Sequence, residues 1–152
     1  RKPASISKLV WTGIAILGLL LLLFFSAPWL IFQWLHFKAK TTRPITQKAY
    51  WSYISSTYYL NQLGYSRNEL SPAVFAKDKI DSKFKTNFAS FMNVYLKTKY
   101  AKATLTSAEQ NTIETFYKPF YTTVKNITPF KARFSKFLNF YRTINFFSKP
   151  KI

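Results

Sequence analysis

The 152 residues contain no cysteine, only three glycines, one histidine and five acidic residues. Without thiols there are no disulfides, no Cys nucleophile and no Cys-based zinc site, and Gly13, Gly18 and Gly64 are too scattered for a glycine-rich phosphate loop. A Ser and His pair would have to use His36, which lies at the end of a long apolar run and has no carboxylate nearby in sequence; an interfacial imidazole is the simpler reading. Asp78 and Asp81 stand three apart, as paired carboxylates would, but Lys77, Lys79, Lys83 and Lys85 surround them, the pattern of a solvated helix surface. Glu69 and Glu114 are isolated. The inventory therefore predicts no catalytic residue, cofactor, metal or small-molecule substrate, and leaves scaffolding, anchoring or binding.

What the chain has in excess is positive charge and aromatic rings. It carries 23 Lys and Arg, a net charge of +18, and 20% aromatic residues including 16 Phe and 10 Tyr, too apolar a content for a chain that stays disordered. Residues 9–37 hold no charge at all. At 1.5 Å per residue this stretch of about 29 residues would reach roughly 43 Å as a helix, enough to cross a bilayer. Trp11, Trp29 and Trp34 lie near its ends, where amphipathic indoles suit the headgroup level, and Lys8 and Lys38 close it. A cleaved signal peptide is the rival reading, since Arg1 and Lys2 precede the apolar core and Ser26-Ala27 resembles a small-residue cleavage region; a signal core is shorter, about 7 to 15 residues. Pro28 predicts a kink or the start of a second, interfacial segment.

Both flanks of the run are basic, but all five acids lie beyond Lys38 and the chain after Lys8 still carries +15. A cationic domain is expected to stay on the cytoplasmic side, which puts the C-terminus there in a single-pass topology. A first residue other than methionine fits a piece of a longer polypeptide. The expected organisation is a basic flank at 1–8, a transmembrane helix at 9–37, a basic linker at 38–45 and a cytoplasmic helical domain at 46–152.

That domain reads as helices throughout. Tyr50, Tyr53, Ile54, Thr57, Leu60 and Asn61 recur at spacings of three and four, and Gly64 follows where a left-handed terminator belongs. Ser71-Pro72 is an N-cap and first-turn proline opening a short helix. A third helix is predicted from about Ser82 to Tyr100, burying Phe84, Phe88, Phe91, Met92, Tyr95 and Leu96 and leaving Lys83, Lys85 and Lys97 to water. Thr106 to Glu109 is a capping box. Ile113, Phe116, Tyr117, Phe120 and Val124 continue that helix, with a kink or break expected at Pro119. A last pattern places Phe130, Phe134, Phe137, Leu138, Tyr141 and Ile144 on one face, and Lys131, Arg133, Lys136 and Arg142 on the other. The fold class is all-α: one transmembrane helix followed by a bundle of four to five helices with a Phe and Tyr core.

Basic charge with interleaved rings also suits nucleic acid, but here the rings fall on helical stripes and the lysines are spread over every helix, so nucleic acid is not favoured. Anionic lipid is the closer partner for cations beside a membrane, each contributing on the order of 1 kcal/mol near the surface. The candidate lipid or partner contacts are Lys38, Lys40, Arg43, Trp51, Lys131, Arg133, Lys136 and Arg142. The last helix resembles an interfacial amphipathic helix. The alternative, that its Phe stripe closes the core, is preferred because a small domain needs all its apolar faces. Trp51, Tyr58, Tyr59 and Tyr65 are further candidates for protein contact, unless they are core.

The order of Tyr59-Leu60-Asn61-Gln62-Leu63-Gly64-Tyr65-Ser66-Arg67, Leu70-Ser71-Pro72 with Phe75-Ala76, Tyr95-Leu96-Lys97-Thr98-Lys99-Tyr100 and Leu105-Thr106-Ser107-Ala108-Glu109 resembles a C-terminal module of bacterial transglutaminase-like integral membrane proteins, catalogued as domain of unknown function 4129. The resemblance covers residues 46 to about 123 and rests on helix punctuation, so it bears on fold more than activity. Ala101 stands where that family commonly has glycine, and residues 130–152 lie outside the pattern. The Cys, His and Asp triad of transglutaminase-like domains has no counterpart here. The resemblance implies a non-catalytic accessory domain in a bacterial inner membrane, with the bilayer and a protein at the cytoplasmic face as partners.

Overall fold

The computed structural model describes residues 6–101 and 103–149, which form seven helices and, among the described residues, no strand. Helix α1 spans Ile6–Thr41 and α2 Ile45–Gln62. Helix α3, residues 72–84, joins the short turns Pro72–Val74 and Ser82–Phe84 through a π-helical stretch, Phe75–Asp81. Helix α4, residues 88–101, runs as α-helix over Phe88–Leu96 and widens to a π-turn over Lys97–Ala101. Helices α5, α6 and α7 are Ser107–Ile127, Phe130–Phe137 and Phe140–Ser148.

Helix α2 is the axis of the bundle, contacting α1, α4, α5 and α7. Its small residues Ala49, Ser52, Ser55 and Ser56 are buried, so neighbouring helices approach closely, while Tyr53, Tyr58, Tyr59 and Leu60 fill the gaps around them. The predicted aromatic core is present. Phe91 stacks on Phe116 with centroids 3.9 Å apart and planes 7° apart, and Tyr53 stacks on Tyr95 at 4.3 Å. Such ring pairs add about 0.5–1.5 kcal/mol beyond the burial of their area.

The local punctuation forms as the residue types dictate. Gly64 has φ +96°, and Tyr65 N–H donates to Leu60 C=O while Gly64 N–H donates to Asn61 C=O, which together make a Schellman end to α2. The Ser71 hydroxyl accepts from Val74 N–H beside a first-turn proline. Thr106 and Glu109 exchange both bonds of the capping box, and Lys97 Nζ sits 2.7 Å from Glu109 Oε1. That ammonium and the Thr106 amide hold the Glu109 carboxyl below the usual range.

Three expectations are corrected. The helix predicted from 82 to 100 is interrupted: Lys85 takes a left-handed conformation (φ 55°), and Asp81 reaches forward to accept from Thr86 Oγ1 at 2.6 Å, Phe88 N–H at 2.8 Å and Ala89 N–H at 2.9 Å. Asp81 is thus the cap of α4. Asp81→Ala is expected to destabilise the chain by about 2 kcal/mol, with Asp81→Asn retaining part of that, as read from urea midpoints in mild detergent. The last pattern divides at Asn139, whose side chain accepts from Arg142 N–H and starts α7, so among the described residues six helices follow α1 rather than four to five. No break occurs at Pro119 and no second segment starts at Pro28. α1 and α5 run on through them, each losing one intrahelical bond where packing nearby is dense: Phe116, Tyr117 and Phe120 are buried around Pro119, and Tyr58 Oη donates to Pro28 C=O.

Candidate functional site

Helix α1 has two halves of different character. Every residue from 6 to 25 is exposed; from Pro28 onward one face enters the bundle, with Phe32, Leu35 and Ala39 buried against it. Lys38 and Lys40, expected in a linker, lie in the last turns of this helix. The free half, residues 6–27, would be roughly 33 Å long, against a hydrocarbon thickness of about 30 Å. It belongs to the one helix, among those described, long and apolar enough to cross a membrane.

Helices α6 and α7 lie where α1 leaves the bundle. Phe24 on α1 meets Phe140 on α7 at 4.4 Å, and Tyr58 Oη bonds Thr143 of α7 at 3.0 Å besides Pro28. The expectation that the Phe130 to Ile144 stripe closes the core fails for most of its members: Phe137 is buried, but Phe130, Phe134, Tyr141 and Ile144 are 71, 60, 69 and 51% exposed. The helices dock through one member of the stripe, Phe137, together with Thr143 and the partly buried Phe146 of α7, and leave the rest of the stripe as an exposed apolar collar where α1 leaves the bundle.

Between collar and α1 opens a cleft of about 490 Å³, walled by Leu22, Phe25, Trp29, Phe32, Phe134, Phe137 and Leu138 and floored by Tyr59 and Tyr121. Ser26, Gln33, Arg133 and the two tyrosines supply its polar groups. Arg133 Nε is buried without a hydrogen-bond acceptor, and Lys97–Glu109 is the one ion pair among the described residues, so no carboxylate neutralises the guanidinium. Burial lifts the Tyr59 hydroxyl to about 12, with Arg133 beside it pulling the other way; burial likewise raises Tyr121, again opposed by Arg133.

The remaining predicted contacts are divided between the two ends of the bundle. Lys131 is exposed on α6 beside the cleft. Lys136 Nζ donates to Leu63 C=O at 2.9 Å and Arg142 Nη1 to Gln62 C=O at 2.7 Å, so both cations cap the carbonyl end of α2, where the helix dipole favours them. Arg142 also closes over Gly64, 3.4 Å from where a Cβ would stand. Lys38, Lys40 and Arg43 sit elsewhere: at 1.5 Å per residue, Lys38 and Lys40 are about 16–20 Å along α1 from Ala27, with Lys38 Nζ 5.9 Å from the rings of both Trp34 and Trp51. Tyr50 and Trp51 meet at 5.1 Å there. Tyr58 and Tyr59 are fully or almost fully buried, so they are core and not surface contacts; Tyr65 is half-buried under Lys83.

Sequence reasoning missed two buried polar chains that lock α1 and α7 onto α2. His36 Nδ1 bonds Tyr117 Oη at 2.7 Å, which bonds Ser55 Oγ at 2.5 Å, so the histidine read as interfacial faces α5. Gln62 Nε2 donates to Tyr58 Oη at 2.9 Å and to the Thr143 hydroxyl. Their partners are 62 to 85 residues apart where they join different helices, beyond any local pattern. Among the described residues no three His, Asp or Glu side chains gather as a metal site would need. Comparison with family models, curated proteins and solved structures returns no match.

Proposed function

We propose that this chain is a non-catalytic, membrane-anchored helical domain: residues 6–27 cross the bilayer once and the bundle rides on the membrane surface at its C-terminal end. The observation that carries the reading is the free half of α1, uncharged from residue 9 and exposed from residue 6 to residue 25, at a length that matches the hydrocarbon layer, with an exposed Phe, Tyr and Ile collar at its base. In water such a surface would be a liability; against headgroups and acyl chains it is satisfied. The cationic charge beyond Lys8 supports a cytoplasmic bundle, and the resemblance to the C-terminal module of transglutaminase-like proteins supports an accessory role at a bacterial inner membrane.

In this arrangement Lys131 and Arg133 are the cations nearest the headgroups, while Lys136 and Arg142 are committed to α2, and Lys38, Lys40 and Arg43 face the cytoplasm. A second reading, a protein partner at the cytoplasmic face, has its own observation: Trp34 and Tyr50 stay exposed around Trp51, beneath the Lys38 ammonium. For the membrane reading, the full chain is expected to stay in the pellet after alkaline carbonate washing of vesicles and to need detergent for monodispersity. A chain that washes off, or that runs as a sharp detergent-free monomer, removes it.

A further inference from the structure

We propose that the cleft at the base of α1 binds one anionic phospholipid, with its phosphate on the Arg133 guanidinium and an acyl chain lying along Trp29, Phe134 and Phe137. The inference deepens the membrane-anchor reading and rests on it. A cleft of about 490 Å³ lies in the range that holds a small ligand, roughly 300–1,000 Å³, and its walls are apolar with a few convergent polar groups.

The argument for an anion is one of charge. Arg133 is half-buried at the cleft: its Nε is buried without an acceptor, its guanidinium lies beside the Tyr59 hydroxyl and 5.7 Å from the Phe130 ring, and no acid among the described residues reaches it. Lys125, 5.9 Å from the Tyr121 ring, adds a second cation beside the floor. A guanidinium at an apolar wall with its Nε desolvated gains from a hydrogen-bonded anion, and a phosphate fits the guanidinium fork in two parallel bonds. The argument for a lipid, and against a free phosphate, is one of position. Leu22 and Phe25 of the cleft wall belong to the half of α1 assigned to the bilayer, so the cleft opens sideways at the depth where headgroup gives way to hydrocarbon.

The full chain reconstituted in nanodiscs of phosphatidylcholine with a minor fraction of phosphatidylglycerol, then released and weighed by native mass spectrometry, tests this. Phosphatidylglycerol is expected to be retained about tenfold over its share of the bilayer, and Arg133→Gln to abolish that preference. Lys131→Gln, on the exposed side of the same helix, is expected to change it less than about twofold. Phe134 is exposed and not needed for folding, so Phe134→Ala gives an independent arm in which retention of both lipids falls. Equal losses in Arg133→Gln and Lys131→Gln would reduce the effect to diffuse surface charge and overturn the site. Displacement of the lipid by inorganic phosphate would assign the cleft to a soluble anion. A chain that enters nanodiscs yet retains no lipid defeats the site alone, whereas one that never enters them defeats the anchor as well.

Discussion

A chain shortened to begin at Pro28 is expected to keep the bundle, and a chain shortened to begin at Thr42 to lose it. The first cut removes the part of α1 that is exposed along its length; its cost is the Phe24–Phe140 contact and part of the cleft wall, about 1–2 kcal/mol. Pro28 C=O, the acceptor for Tyr58, survives. The second cut also deletes Phe32, Leu35 and Ala39 from the core and takes the His36 partner from Tyr117, leaving it Ser55 alone. Losing a buried Phe and a buried Leu costs roughly 5–10 kcal/mol together, the size of a whole domain's stability. Thermal melts followed by near-ultraviolet circular dichroism in mild detergent should show a cooperative transition for the first product and none for the second. Cooperative melting of the chain that begins at Thr42 would mean that the second half of α1 is an appendage.

That experiment turns on a boundary which hydropathy does not mark. Residues 9–37 are uncharged whether they face lipid or protein, because a buried helix face and a lipid-facing one draw on the same side chains. The distinguishing feature is the spacing of Phe32, Leu35 and Ala39 against the more polar Gln33 and His36, a weak stripe inside an apolar run. Punctuation was legible because its chemistry is local: Gly64, Ser71-Pro72 and Thr106 to Glu109 each satisfy backbone groups within five residues. Asp81 escaped because its carboxylate bonds amides seven and eight residues ahead, across a left-handed turn at Lys85 that periodicity gives no reason to expect.

The collar illustrates a different limit. Periodicity identifies Phe130, Phe134, Tyr141 and Ile144 as a stripe but is silent on what covers it, and the assumption that a small domain must bury every apolar face assigned it to the core. The bundle buries Phe137 alone of that stripe, with Thr143 and part of Phe146, and fastens α6 and α7 by polar bonds to α2: Lys136 to Leu63 C=O, Arg142 to Gln62 C=O, Asn61 Nδ2 to Arg142 C=O. Two of the cations read as lipid contacts are thereby spent on the helix end, and Arg133, without such a partner, is left for the cleft.

Replacing Leu17 and Leu21 together by lysine is expected to release the chain from membranes while leaving the bundle intact. Both side chains are exposed, stand one turn apart on the free half of α1, and lie near its middle. A lysine at the centre of a spanning helix costs about 2.5–3.5 kcal/mol on the insertion scale, so the pair costs roughly 5–7 kcal/mol, increased slightly by like-charge repulsion at that spacing. An effect of that size changes a partition ratio by more than a thousandfold. Neither leucine belongs to the core, so urea midpoints of the solubilised variant should move by no more than about 0.5 kcal/mol. Carbonate washing reads the first effect and denaturant the second. Unchanged membrane retention would show that the collar and basic surface hold the chain without a spanning segment. A collapsed bundle would show that residues 6–27 fold with the domain they were assigned only to anchor.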